Sequence, residues 1–199
     1  MMLYSWISFW LCYFIGGCFL YQDKYKLLDN HIVSNQNLMH TLGINAMLTF
    51  IFIPIANSIP TLIYVPNNMF GYVVRVILLL IIGDLCFYWS HRLFHHRWFY
   101  FLHKKHHLYV KPNALAGLYC HPLEMIISNH LSMIIPLKLV VSYNHYMLMF
   151  ESGIVALNIL NSHSGYDWLS GLHHAKHHEL LNCNYGFSYI TDYIFGTYN

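Results

Sequence analysis

The stretch that sets the fold reads DLCFYWSHRLFHH, residues 84–96. It continues an apolar segment that begins at about residue 71. Within it, Asp84, Tyr88, His91 and His95 follow one another at spacings of four, three and four residues. Side chains at these spacings share one face of an α-helix. We therefore expect a single helix that begins inside a membrane and carries two imidazoles out of it.

Two further groups of histidines follow, and we call the three groups the histidine boxes. The second reads HKKHH and the third HHAKHH, so each holds histidines at i, i+3 and i+4, which a helix points toward one region. The boxes supply eight candidate ligands and catalytic residues: His91, His95, His103, His106, His107, His174, His177 and His178. A tetrahedral zinc site takes about four ligands. The pattern therefore predicts two metal ions, of a kind that accepts imidazole, such as Fe, Zn, Cu or Ni.

Four residues beside the boxes are also expected to serve the site. His163 is predicted to be a ninth metal ligand. Three others are candidates for orienting a ligand: Asp84, His173 and His121. Carboxylates within membrane segments are rare and usually functional, so Asp84 is expected to hold an imidazole N–H, the alternative being an ordinary interfacial charge. The remaining isolated histidines are expected to be surface or packing residues: His31, His40, His130 and His145.

Charged residues are scarce along the chain. They form 9% of its 199 residues, against about 25% in ordinary soluble domains, while 57% are hydrophobic. This excludes a disordered tail and a basic nucleic-acid-binding domain. Residues 1–22 and 30–74 carry no Asp, Glu, Lys or Arg, and about 20 apolar residues cross a bilayer. We predict that residues 1–90 form transmembrane helices, the first of them an uncleaved anchor.

Basic residues surround the first two boxes: Arg92, Arg97, Lys104, Lys105 and Lys111. The positive-inside rule places such a block in the cytoplasm. Residues 123–166 are again apolar, and we expect a membrane hairpin there, formed by two short crossings or by one re-entrant pair. If histidines on either side of this stretch share one site, it must cross the membrane an even number of times.

Seven strings together resemble the fatty acid hydroxylase superfamily, which includes sterol desaturases and sterol hydroxylases. They are DLCFYWSHRLFHH, FLHKKHH, CHPLE, HSGYD, HHAKHH, NCNYG and DYIFGT, in this order between residues 84 and 199. The HPLE and HSGYD strings are most similar to sterol C4-methyl oxidases, and the NCN string to cholesterol 25-hydroxylase. Two departures are Ala175-Lys176, where members often carry an acidic residue, and a short amino-terminal membrane region.

The resemblance implies an all-α, polytopic membrane bundle with a cytoplasmic, histidine-rich cap that holds two iron ions. Residues 84–199 would form the catalytic region. It implies a monooxygenase that uses O2 to oxidise an unactivated C–H bond of a membrane lipid, most often a sterol. Electrons would come from NAD(P)H through a reductase and cytochrome b5, in the endoplasmic reticulum membrane. The chain has no G-x-G-x-x-G motif for a dinucleotide, which agrees with an external donor.

Three rival functions are weighed against this one. A membrane acyl desaturase also uses three boxes, but its first two boxes are usually farther apart than the seven residues between His95 and His103. A metal transporter or storage protein would need ligands within its crossing helices. A catalytically inactive, lipid-binding relative would not need intact boxes. The chain also lacks the Glu-x-x-His pairs of soluble di-iron bundles and the His-Glu-x-x-His of many metalloproteases.

Overall fold

A computed structural model of the chain describes residues 2–20, 33–110, 113–141, 145–166 and 171–199. His31 and Lys111, named above, lie outside these ranges, and the side chain of His145 is not described. The helices are α1 Met2–Leu20, α2 Asn35–Ile51, α3 Ile53–Ser58, α4 Met69–Phe94, α5 Tyr100–His103, α6 Pro122–Glu124, α7 Ser132–Leu139, α8 His145–Ser164, α9 Gly171–Leu180 and α10 Tyr189–Ile194. Short 3-10 helices cover His106–Leu108 and Ala114–Leu118, and a π-helix covers Met125–Leu131.

Three of the described helical stretches are long and apolar enough to cross a membrane: Met2–Leu20, Asn35–Ser58 and Met69–Phe94. Many large apolar side chains on them are exposed, such as Phe19 at 82% and Met69 at 77%, as lipid-facing residues would be. The second stretch is interrupted at Phe52, where α2 ends and the short helix α3 begins with Pro54 in its first turn. An all-α membrane fold is therefore confirmed.

Helix α4 has the course expected from its sequence pattern. It runs for 26 residues and buries Asp84, Tyr88 and His91 on one face, and His95 caps its carboxyl end. Asn68 accepts a hydrogen bond from the Gly71 amide and so caps the amino end. The helix thus leads directly from the membrane span into the first histidine box.

The expected hairpin region forms two helical arms. Residues 122–139 make up the first arm, through α6, the π-helix and α7, and α8 forms the second. Two-residue strands, β1 Ile63–Tyr64 and β2 Val140–Val141, pair in parallel where the first arm ends. The carboxyl end of α8 returns to the boxes, as a shared site requires. That the arms cross the membrane stays a prediction, since neither is among the three spans described above.

Two sets of polar contacts fasten the second arm and the 114–118 segment to the membrane helices. Arg75 of α4 forms a buried ion pair with Glu151 of α8 and also donates to the Val140 carbonyl. Tyr13 of α1 donates to the Leu115 carbonyl and accepts from the Leu118 amide, each at 3.0 Å. The second set ties the 114–118 turn, which follows the second box, to the bilayer helices. The boxes are therefore held against the end of the helical bundle.

Candidate metal centre

Nine buried or half-buried histidines form two adjacent clusters. Cluster 1 holds His91, His95, His103, His107 and His177, and cluster 2 holds His106, His163, His174 and His178. Within each cluster, one nitrogen from every ring lies within 4.8 Å of the others. The structure thus brings together all nine predicted metal ligands, in two groups whose sizes each suit one ion.

Cluster 1 has nitrogens at the separation that a shared ion would require. The Nε2 atom of His103 lies 3.1 Å from that of His91 and 2.9 Å from that of His107, which lies 3.2 Å from His95 Nε2. Imidazole nitrogens bind a metal at about 2.0–2.1 Å, so neighbouring ligand atoms lie about 3 Å apart. Lone pairs facing one another at this distance repel unless a cation or a proton lies between them.

Cluster 2 is similar but more open. The Nε2 atoms of His106 and His163 are 3.4 Å apart, and those of His174 and His178 are 3.2 Å apart. His163 comes from the carboxyl end of α8 and the third box from α9. Cluster 2 therefore depends on the second arm of the hairpin, whereas cluster 1 does not.

The boxes do not map one to one onto the clusters, which corrects the expectation that each box points toward one place. The i, i+4 pairs stay together: His103 and His107 join cluster 1, and His174 and His178 join cluster 2. The i+3 members cross over, His106 into cluster 2 and His177 into cluster 1. In the second box the helix is also interrupted, because α5 ends at His103 and a 3-10 turn begins at His106.

Four rings have their orientation fixed by hydrogen bonds from Nδ1. His91 Nδ1 lies 2.7 Å from the Tyr185 carbonyl, His177 Nδ1 2.6 Å from the Cys183 carbonyl and His163 Nδ1 2.9 Å from the Ile159 carbonyl. His103 Nδ1 lies 2.8 Å from Glu124 Oε1. In the three rings bonded to carbonyl oxygens, which only accept, Nδ1 must carry the proton, and the neutral ring presents a lone pair at Nε2.

The clusters also hold their histidines in the neutral state that metal binding needs. Burial, reinforced by the neighbouring imidazoles, lowers the pKa of six of them: His103, His106, His107, His174, His177 and His178. His177 Nε2 is buried without a hydrogen-bond partner among the described residues. A metal ion would satisfy this atom, so the residues fit a metal centre.

A cavity of about 700 Å³ opens onto the clusters. Six histidines are among its lining residues. Five of them are cluster members, His91, His103, His106, His163 and His174, and the sixth, His173, lies outside the clusters. From this end the cavity extends between α4, α7 and α8 to Val76 and Glu151, past mostly apolar side chains. Its volume lies within the range of about 300–1,000 Å³ that is typical of small-molecule sites.

The family model for fatty acid hydroxylases matches residues 76–197, which contain every residue of both clusters. The chain belongs to the fatty acid hydroxylase family. Its resemblance to that family, noted from the motifs, is thereby confirmed.

Three relatives illustrate this membership. A putative methylsterol monooxygenase of Dictyostelium discoideum is 37% identical over 131 residues, or 59% of this chain and 48% of the relative. Fatty acid hydroxylase domain-containing protein 2 of Homo sapiens is 34% identical over 131 residues, or 63% and 39%. C-4 methylsterol oxidase of Schizosaccharomyces pombe is 32% identical over 130 residues, or 58% and 43%. The chain thus spans about half the length, or less, of these relatives. No solved structure matches it.

In this fatty acid hydroxylase family member, Asp84 has a different role from the one expected. Its two oxygens accept hydrogen bonds from the backbone amides of Ser188 at 2.8 Å and Thr191 at 2.9 Å. The carboxylate therefore fixes the start of α10 and does not orient an imidazole directly. The Asp84 carboxylate can be fully buried, at 0% exposure, because both of its oxygens accept hydrogen bonds.

Asp192 carries the supporting role that was sought at Asp84. It accepts from the amides of Tyr185 at 2.8 Å and Gly186 at 2.7 Å, and from the Thr197 hydroxyl at 2.7 Å. These bonds hold the Tyr185 carbonyl in place against His91. The DYIFGT string marked this residue only as part of a motif. Two of its three partners are backbone amides, which no side-chain pattern identifies.

His121 and His173 do not act as expected either. His121 lies outside both clusters, and its Nδ1 accepts from the Leu123 amide at the start of α6. The residue of the HPLE string that contacts a cluster is Glu124, through His103. His173 packs against Tyr189 and Tyr198 and approaches Asp192 Oδ2 to 3.8 Å.

Proposed function

We propose that this protein is a membrane-bound, non-haem di-iron monooxygenase that oxidises an unactivated C–H bond of a lipid, with a sterol as the favoured substrate. The observation that carries the proposal is the pair of imidazole clusters at the end of an apolar cavity between membrane helices. A substrate can remain in the bilayer while its reacting carbon lies against the clusters. Its chemistry would be of the C4-methyl oxidase or sterol hydroxylase type.

The choice of a sterol rests on the relatives and the cavity together. Relatives that match here are named methylsterol monooxygenase and C-4 methylsterol oxidase. The cavity is lined mostly by aliphatic and aromatic side chains such as Leu79, Phe87 and Ile154. Binding would therefore come from apolar burial, with the few polar groups of the lining setting the orientation.

Two irons, when bound, would supply the activation of O2, and the protein supplies everything around them. Five imidazoles would hold one ion and four the other. The carbonyls of Tyr185, Cys183 and Ile159 keep the protons on Nδ1 and so keep Nε2 free for the metal. The apolar cavity wall excludes water from the reacting carbon, which protects a strongly oxidising site from side reactions.

The electrons are proposed to come from cytochrome b5 and an NAD(P)H-dependent reductase. Exposed basic residues lie beside the boxes at the cluster end of the structure: Arg92, Arg97, Lys104 and Lys176. Such a surface favours encounter with an acidic partner. The same residues underlie the proposal that this end faces the cytoplasm, in the endoplasmic reticulum membrane.

Expression in a host that lacks sterol C4-methyl oxidation, followed by lipid extraction and mass spectrometry, tests the function. The expected result is an oxidised or demethylated sterol that is absent when His178 is replaced by Ala. A new double bond would instead identify a desaturase. Unchanged lipids together with altered cellular metal content would identify a metal-handling protein, and either outcome would refute the proposal.

A further inference from the structure

Helix α10, which follows the third histidine box, presents an apolar surface that the metal clusters do not use. Four of its six residues are exposed on one side, which we call the outer face: Tyr189, Ile190, Tyr193 and Ile194. Tyr193 is 76% exposed and Ile194 70%. The other two residues, Thr191 and Asp192, are buried. The helix therefore has one side against the protein and one side of large, exposed side chains.

Charged groups are absent from this surface. Between residues 185 and 199 the only charged side chain is that of Asp192. It is buried and accepts hydrogen bonds from the amides of Tyr185 and Gly186. A contiguous apolar surface on a protein marks a site of interaction, and its partner must itself be apolar. Either a lipid bilayer or another protein surface would meet that requirement.

The contact between α10 and α4 sets the level of α10 relative to the membrane. Helix α4 is one of the three stretches suited to cross a bilayer, whose hydrocarbon core takes about 20 helical residues. Every window of that length within Met69–Phe94 contains Asp84. The Asp84 carboxylate accepts from the amides of Ser188 at 2.8 Å and Thr191 at 2.9 Å. The start of α10 therefore lies beside a part of α4 that is within the hydrocarbon core.

The outer face also continues the exposed surface of α4. The ring centroid of Phe195, directly after α10, lies 5.3 Å from that of Tyr88 and 5.1 Å from that of Trp89. These two residues are one turn of α4, or about 6–8 Å, beyond Asp84. Trp89 is part of a row of exposed side chains at every fourth position of α4: Val73, Ile77, Ile81, Leu85, Trp89 and Leu93. Lipid that contacts this row can therefore also contact α10.

Arg92 marks the polar limit of this surface. Its Nη1 donates to the Tyr88 hydroxyl at 2.7 Å, and its guanidinium carbon lies 5.8 Å from the Trp89 ring centroid. Tyrosine and tryptophan are enriched at the level of the lipid headgroups, and an arginine near the end of a span directs its charge there. Since Arg92 is about one turn beyond the residues that Phe195 contacts, α10 lies on the acyl-chain side of it.

We propose that α10 is a membrane-interface helix whose outer face lies against lipid acyl chains just below the headgroups. Its partner is thus the same bilayer that surrounds α4. On its buried side, Asp192 holds the amide of Tyr185, whose carbonyl oxygen contacts His91. The helix therefore joins the lipid contact to the segment that supports cluster 1. This placement depends on the membrane fold and not on the proposed chemistry.

Spin labels on the purified full chain, reconstituted in phosphatidylcholine nanodiscs, test the placement. Ile194→Cys carries the label, in a background that replaces by Ala the three native cysteines that are not buried: Cys12, Cys18 and Cys86. O2 is concentrated in the bilayer and a charged nickel chelate in water, so their relative effects on saturation of the EPR signal report which of the two surrounds the label. The Ile194→Cys label should be affected more by O2 than by the nickel chelate.

Two exposed positions provide matched controls. Leu85→Cys lies in the exposed row of α4 and should favour O2, whereas Glu179→Cys, on α9, should favour the nickel chelate. Tyr193→Cys, on the same outer face, repeats the measurement and keeps it decisive if Ile194→Cys does not fold. Agreement of the α10 labels with Leu85→Cys supports the placement.

Two results would overturn it. If the α10 labels respond as the Glu179→Cys label does, the outer face is in water. If they are shielded from both reagents, another protein surface covers the face, such as a second copy of this chain. Neither result bears on the lipid products by which the proposed function is tested, so failure of one leaves the other standing.

Discussion

His91 Nδ1 and the Tyr185 carbonyl oxygen are 2.7 Å apart, although the two residues are separated by 94 positions. This bond joins the end of a membrane helix to the segment that follows the third box. Asp192 holds the Tyr185 amide at 2.8 Å, so the carboxylate and the metal ligand act on the same peptide segment. The orientation of a cluster 1 imidazole therefore depends on the last 15 residues of the chain. None of the nine candidate metal ligands lies in that segment.

Asp192→Asn should weaken metal binding in cluster 1. An amide has one acceptor oxygen where the carboxylate has two, and its NH2 group would face a backbone N–H. We expect a loss of about 10–100-fold in metal affinity or activity, the usual effect of removing a group that supports a ligand. Metal titration of the purified variant measures it.

Thr197→Val is the control for this prediction. It removes only the hydroxyl that donates to Asp192 and leaves both amide bonds in place. Its metal affinity should stay within a few fold of wild type. Full metal affinity in a folded Asp192→Asn variant would show that the Tyr185 carbonyl does not need this support.

The sequence predicted the parts of the site that depend on local helical spacing. His91 and His95, His103 and His107, and His174 and His178 lie in i, i+4 pairs, and each pair occupies one cluster. The nine ligand candidates could be named because histidine chemistry is carried by the side chain. The three membrane spans followed from length and hydropathy.

What the sequence did not predict depends on contacts between distant segments. Asp84 meets the amide of Ser188 across 104 positions, and a backbone amide leaves no mark in a motif. The division of His106 and His107 between clusters follows from the break between α5 and a 3-10 turn, which the HKKHH string does not reveal. In the HPLE string, His121 was the predicted site residue, but the residue that contacts a cluster is Glu124, through His103 of the second box.

The two clusters predict that ligand replacements affect different ions. His107→Ala should weaken metal binding in cluster 1, which keeps four imidazoles, and His178→Ala should empty cluster 2, which keeps three. Each variant loses a nitrogen within about 3 Å of another ligand nitrogen, as in a shared metal site. Metal content should fall from two ions per chain to about one in His178→Ala and by less in His107→Ala, and turnover should be lost in both.

Metal analysis of protein prepared without chelator measures these changes. His40→Ala is the control, since His40 is exposed and belongs to neither cluster. It should retain both ions and full activity. A His107→Ala protein that is folded, holds two ions and turns over normally would exclude His107 as a ligand.

Removal of metal should destabilise the protein. Without an ion, the imidazole lone pairs of each cluster face one another in a buried site. A ligand present at 100 times its Kd stabilises the folded state by about 2.7 kcal/mol, which corresponds to about 5–10 °C in Tm for a chain of this size. We expect chelation to lower Tm by that amount and metal to restore it. His178→Ala should show a smaller shift, and an unchanged Tm in wild-type protein would contradict metal binding at these clusters.

Arg75 and Glu151 form a buried ion pair, so replacing either charged side chain alone should destabilise the fold strongly. Arg75 is 0% exposed, and its guanidinium binds both oxygens of Glu151. Arg75→Leu leaves an unpaired carboxylate between α4 and α8, a change that typically costs about 3–5 kcal/mol. Glu151→Leu leaves the buried guanidinium unpaired, at a similar cost. The double variant removes both charges, so it should be more stable than either single variant.

Thermal unfolding in detergent of wild-type protein, the two single variants and the double variant completes this double-mutant cycle. It measures the coupling energy between Arg75 and Glu151. The Val140 carbonyl also accepts from Arg75, so the double variant should remain somewhat less stable than wild type. If the single and double variants lose stability additively, the two charges do not depend on each other and the pair is not what joins α4 to α8. If they are coupled as expected, the end of the cavity far from the clusters is a neutral, fixed wall. An apolar substrate can lie against such a wall without contacting an unpaired charge.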